Sequence, residues 1–115
     1  MLPSGSLLEE YVDALGVSPF ADWFVALDSV AAAKVTVALS RIERGATSNV
    51  KGVGGDVLEF RIDLGPGYRV YFGRDGERLV ILLAGGTKRR QNADVAVAKS
   101  RWEDYRARKV RTTRR

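Results

Sequence analysis

Residues 58–84 read LEFRIDLGPGYRVYFGRDGERLVILLA, and this run decides the fold. Leu58, Phe60 and Ile62 alternate with Glu59, Arg61 and Asp63, a period of two that predicts a half-buried strand. Leu64-Gly65-Pro66-Gly67 then supplies turn residues. In a second strand Tyr68, Val70 and Phe72 define one face and Arg69 and Tyr71 the other. Asp75-Gly76 is a hairpin signal. The third strand, Leu79–Ala84, is apolar on both faces, which suits a central position covered from both sides.

Upstream of this meander the period is helical. Ser18-Pro19 offers an N-cap followed by proline at the first helical position. Phe20, Trp23, Phe24 and Leu27 give that helix an apolar face. Asp28 or Ser29 can cap a second helix, in which Val30, Val35, Leu39 and Ile42 lie on or near one stripe. It stops at Gly45, with Arg41 and Arg44 in the last turn, where cations suit the helix dipole. Two antiparallel helices forming a hairpin is the simplest reading. Leu7–Val12 is compatible with extended chain but ambiguous. The Gly-rich stretch Lys51–Gly55 reads as a connector, since it lacks phosphate-loop spacing.

Downstream, Gly85-Gly86 ends the third strand, and Thr87-Lys88-Arg89-Arg90 leads into a last helix from about Asn92 to Tyr105. Val95, Ala98 and Trp102 can pack it down. Arg106–Arg115 holds six basic residues in ten and reads as a disordered tail. The fold class is therefore α+β, an antiparallel sheet packed against an N-terminal helical hairpin, with a C-terminal helix. Residues 1–105 form one domain and 106–115 its tail.

Composition narrows the chemistry. The 115 residues suit a single domain, and 45% hydrophobic content can form a core. Without cysteine or histidine, the chain has no disulfide, no thiolate metal site and no imidazole base. No acidic cluster has calcium-loop spacing, and no motif for a nucleotide cofactor is present, so no metal and no cofactor are expected. No apolar run approaches the roughly 18 residues of a membrane span, and the N-terminus has no basic n-region. These features read as a cytoplasmic protein. The net charge of +5 is unevenly spread. Residues 1–60 carry four bases against eight acids, and residues 61–115 fifteen bases against six. Such an asymmetry suits a second half that faces a polyanion, although a soluble surface with a basic tail explains it equally well.

By the period-two rule Arg61, Arg69 and Tyr71 can share a face opposite the apolar core, and Lys88, Arg89 and Arg90 can reach the same edge. Guanidinium forks beside an aromatic ring suit a phosphodiester with a base to stack. The plainer alternative is a solvated sheet face, with Glu59 and Asp63 pairing the arginines and Tyr71 as a cross-strand packing residue. Cleaving RNA through its own 2′-hydroxyl needs a base, an acid and stabilisation of the phosphorane. Arginines supply the last, and Lys88, crowded by Arg89 and Arg90, is a candidate for proton transfer.

Several motifs in order resemble the addiction-module killer proteins, the HigB-like branch of the RelE/ParE toxin superfamily. They are Ser18-Pro19-Phe20, Trp23 to Leu27, Arg41 to Gly45, Leu58 to Ile62, Gly65 to Phe72 and Leu82 to Lys88, followed by Gln91, Asp94 and Ala98. The resemblance covers residues 7 to 100. It implies a toxin of a type II toxin–antitoxin system, an mRNA endoribonuclease acting on the ribosome without metal. A helix-turn-helix antitoxin would neutralise it, and the pair would bind operator DNA. It further implies catalytic roles for Arg69, at the scissile phosphate, and for Arg61 and Lys88, while the sheet-face reading assigns RNA binding to Tyr71, Arg89 and Arg90. Asp94 stands where some relatives place a tyrosine or histidine, and Glu59 where others have a basic residue. Two other functions fit the same superfamily: poisoning of DNA gyrase in the ParE manner, and a degenerate toxin that only binds its antitoxin.

Overall fold

A computed structural model describes residues 5–46 and 48–113, with side chains described as far as Lys109. Its elements are β1 (Leu7–Glu10), α1 (Pro19–Val25), α2 (Ser29–Glu43), β2 (Val50–Gly54), β3 (Val57–Ile62), β4 (Tyr68–Asp75), β5 (Leu79–Thr87), a 3-10 turn (Lys88–Arg90) and α3 (Gln91–Thr113). The strands form one five-stranded sheet in the order β1-β5-β4-β3-β2.

The expected meander is β3-β4-β5, antiparallel throughout. The sheet as a whole is mixed, because β1 runs parallel to β5, with Leu7 opposite Leu79 and Glu10 opposite Leu82. This corrects the expectation of a purely antiparallel sheet. A second correction concerns the supposed Gly-rich connector. Lys51–Gly54 belongs to the edge strand β2, whose Lys51 lies opposite Glu59 in β3. The β2–β3 turn is Gly55-Asp56, both at positive φ, and glycine at the first position and aspartate at the second tolerate that conformation.

The helices on one side start as their caps dictate. The Ser18 hydroxyl accepts from the Ala21 amide at 3.1 Å, and the Asp28 carboxylate accepts from the Ala31 amide at 2.8 Å. Phe20 of α1 and Val35, Ala38 and Ile42 of α2 bury against Phe60, Ile62, Val70, Phe72, Val80 and Leu82 of the sheet. On the opposite face α3 lays Ala98 and Trp102 onto Val57, Tyr71, Ile81 and Leu83. The result is three layers, helices–sheet–helix.

Each face of the sheet has a glycine beneath a tryptophan. A Cβ on Gly85 would lie 2.1 Å from the Trp23 ring, and one on Gly73 would lie 2.6 Å from the Trp102 ring. Both indoles therefore rest directly on backbone, which lets the helices approach closely.

The segment expected to be a loose tail from Arg106 continues α3 as far as Thr113. Long-range polar contacts account for this. Tyr105 donates to Asp75 at 2.6 Å, Lys109 pairs with Asp75, and Arg106 pairs with Asp56 at 3.3 Å. Tyr11 donates to Asp104, which also pairs with Arg108 one turn on. Residues 114–115 lie outside the described residues. Among the described residues, no helix is long and apolar enough to cross a membrane.

Candidate functional site

The β3–β4 register sets Arg61 directly opposite Arg69 and Glu59 opposite Tyr71, so these four share one face as the alternation predicts. What lies over that face divides them. Arg61 is exposed, whereas Glu59, Arg69 and Tyr71 lie beneath the start of α3 and are buried. Tyr71 has no exposed surface at all. Its ring packs beneath α3, so it presents no free face on which a base could stack. Burial, then the neighbouring Glu59 charge, hold its hydroxyl well above the ordinary tyrosine range.

The turn after β3 and the turn after β5 meet at one end of the sheet. The Lys88 amide donates to the Gly67 carbonyl at 2.7 Å, which pins the start of the 3-10 turn to the Leu64–Gly67 loop. Gly67 has φ +76°, and a Cβ there would lie 3.4 Å from both Arg69 Nη1 and the Lys88 Cβ. Between these segments opens a polar cleft of about 520 Å³, lined by Lys51, Arg61, Asp63, Arg69, Lys88 and Gln91 around the loop. Arg61, Arg69 and Lys88 thus come together as the sequence suggested. Four cations face one carboxylate in this cleft, and such a balance attracts a phosphate.

Arg89 and Arg90 are exposed and line a smaller depression of about 360 Å³ that shares Lys88 and Gln91 with the cleft. Lys51, Asp63 and Gln91 join the cleft without having been singled out for chemistry from the sequence. Lys51 was hidden by its glycine-rich context, and Asp63 and Gln91 carry no spacing signal of their own.

Beneath the cleft sits a buried polar group. Arg69, 5% exposed, places Nε 3.8 Å from Glu59 Oε1 and donates from Nη1 to the Tyr68 carbonyl at 3.1 Å. Glu59 in turn accepts from Gln91 Nε2 at 2.8 Å. Pairing between Glu59 and an arginine was the plainer sequence reading, but the pair is buried rather than solvated. Asp94, half-buried, leans over Gly86, where a Cβ would lie 1.9 Å from its Oδ2. Burial raises its pKa above the ordinary carboxylate value, and Arg90 and Arg101 oppose that shift. Among the described residues no cluster of three or more His, Cys, Asp or Glu side chains is placed to hold a metal ion.

A larger cavity, about 1020 Å³, lies between the β2–β3 hairpin and α3, with Trp102 and Tyr105 in its wall. It is mainly apolar, its rim carries Arg74, Arg106 and Lys109 beside Asp56 and Asp75, and it contains none of Arg61, Arg69 and Lys88.

Residues 22–103 match the family described as phage-derived protein Gp49-like (DUF891). An uncharacterised protein of Haemophilus influenzae (strain Rd) is 40% identical over 81 residues, covering 70% of this chain and 82% of that protein. No solved structure matches the chain.

Proposed function

This chain belongs to the Gp49-like family, part of the RelE-type addiction-module group associated with toxins of toxin–antitoxin systems, and from that premise we propose that it is an mRNA endoribonuclease toxin of the HigB-like branch. It acts in the cytoplasm, on mRNA engaged by the ribosome, and a cognate helix-turn-helix antitoxin neutralises it. The observation that carries this reading is the convergence of Arg61, Arg69 and Lys88 on one polar cleft at the end of the sheet.

The chemistry follows from what the cleft holds. The 2′-oxygen of the substrate attacks the adjacent phosphorus, and Asp63, the carboxylate among the lining residues, takes its proton. Arg61 and Arg69 stabilise the charge that grows on the phosphorane. Lys88 donates a proton to the departing 5′-oxygen, leaving a 2′,3′-cyclic phosphate and a 5′-hydroxyl. Arg89 and Arg90, beside the cleft, hold the flanking backbone as phosphate contacts that do not read sequence.

The test is induction of the chain in cells, followed by mapping of mRNA ends. Growth arrest with messages cut within codons is expected, and Arg61→Ala or Lys88→Ala, both at exposed positions, should relieve it. Arrest with intact mRNA overturns the nuclease reading, and gyrase retained on the chain would then favour the ParE-like one. Growth unaffected by the chain alone also overturns it and leaves antitoxin binding as the function.

A further inference from the structure

Arg69 poses a geometric question, because an anion-binding arginine is ordinarily exposed and this one is nearly sealed. Its guanidinium meets the cleft beside Gly67, where an added Cβ would lie 3.4 Å from Nη1 and 4.0 Å from Nη2, and Nη1 also donates to the Tyr68 carbonyl. Behind it stands Glu59, fully buried and fastened by Gln91 through a 2.8 Å hydrogen bond. At 3.8 Å the Glu59–Arg69 contact is a charge pair rather than a close hydrogen bond, and both Arg69 Nε and Glu59 Oε1 are buried without a hydrogen-bond partner. A buried pair satisfied so incompletely is a poor source of stability. It does, however, fix which edge of the guanidinium points outward.

We propose that Glu59 and Gln91 are positioning residues that hold Arg69 with its Nη edge presented to a phosphodiester oxygen at the Gly67 aperture. This rests on the RNA-cleft reading above. The carboxylate sits on the Nε side and draws that side inward. Nη2 and the second N–H of Nη1, whose first goes to the Tyr68 carbonyl, are left as the edge for the ligand, and Gln91, which starts α3 and also lines the cleft, couples the helix to this arrangement. The side chain therefore reaches the ligand already ordered, with its rotamer entropy lost during folding rather than at binding.

The consequence has an unusual sign. Glu59→Gln removes a negative charge next to a basic cleft, so a purely electrostatic cleft would bind RNA more tightly after the change. A positioned Arg69 would bind more weakly. The probe is a fluorescein-labelled 2′-O-methyl RNA hexamer, which keeps the phosphodiester backbone but has no free 2′-hydroxyl to attack. Binding to the full chain is followed by anisotropy over a salt series, with far-UV circular dichroism to verify folding.

Arg69→Ala is expected to weaken binding about tenfold, as loss of one charge-assisted contact does, and to lower the salt slope by about one. Glu59→Gln should produce a loss of similar size, and it should add nothing in the Arg69→Ala background. Gln91→Met, which keeps both buried charges, should weaken binding in the same Arg69-dependent way and stands in if Glu59→Gln fails to fold. Unchanged or tighter binding by a folded Glu59→Gln overturns the proposal while leaving the RNA cleft intact. So does a loss that is equal with and without Arg69. Absence of hexamer binding by the unaltered chain, or binding indifferent to Arg69→Ala, overturns the cleft reading itself and the positioning role with it.

Discussion

Substituting Gly73 by alanine tests the closeness of α3 to the sheet. The added Cβ would lie 2.6 Å from Cε3 and Cζ3 of Trp102, a side chain only 4% exposed. Carbon atoms prefer a separation of about 3.5–4.0 Å, so the indole, and the helix carrying it, must retreat by about 1 Å. Overpacking of this kind costs about 1–3 kcal/mol. Trp102→Ala by itself should cost about 3–5 kcal/mol through lost burial and the cavity left behind. In that cavity the Gly73→Ala methyl has room, and replacing a strand-interior glycine then contributes about 0.5–1 kcal/mol of stability. The effect of Gly73→Ala thus changes sign with the background, a coupling of about 1.5–4 kcal/mol. Urea unfolding of the four proteins, followed by far-UV circular dichroism, measures it. A destabilisation by Gly73→Ala that is the same in both backgrounds, within about 0.5 kcal/mol, would refute the stacked geometry.

Two carboxylates on the α3 side should respond to pH with opposite signs. Burial raises the Asp94 pKa, so its contribution is present below the unfolded value near 3.9 and is lost as pH rises through the folded value. Asp94→Asn should therefore be more stable than the parent at pH 7, with the gap closing towards acid; a less stable variant at pH 7 contradicts this. Hydrogen bonds from Lys109 and Tyr105 lower the Asp75 pKa, so its contribution is present above the unfolded value and is lost as pH falls through the folded one. Asp75→Asn should melt lower than the parent at pH 7 and approach it in acid, as thermal unfolding across that range would record.

The strands β3 and β4 were legible because their own residues alternate, β5 because it is a short apolar run, and all three because their turns are short. Ser18 and Asp28 were legible because capping is a local interaction. What escaped the sequence depends on partners far along the chain. β2 has glycine at positions 52 and 54, so no alternation marks it, and its register comes from β3. The pairing of β1 with β5 is parallel and remote, with no turn to announce it. The alternation put Tyr71 and Arg69 on the right face but gave no sign that α3 would cover it. Likewise, the basic residues after Tyr105 looked like a tail because Asp56 and Asp75, which tether them, lie some thirty to fifty positions earlier. The cleft was therefore half legible: Arg61, Arg69 and Lys88 had local signals, whereas the Glu59–Gln91 support exists only once α3 is in place.

The parallel pairing of β1 with β5 also imposes an order in time. Leu7 has its strand partner at Leu79, roughly seventy residues downstream, and Lys88 and Gln91 come later still. At about 5–20 residues per second of synthesis, the first strand waits several seconds or more for the strand it joins. Late in that interval the nascent chain gains Arg61 and then Arg69 but has no closed cleft, since the far wall has not been made. The cleft is thus the last part of the sheet's end to be completed, since it closes only after Lys88 and Gln91 have followed β5 out of the ribosome.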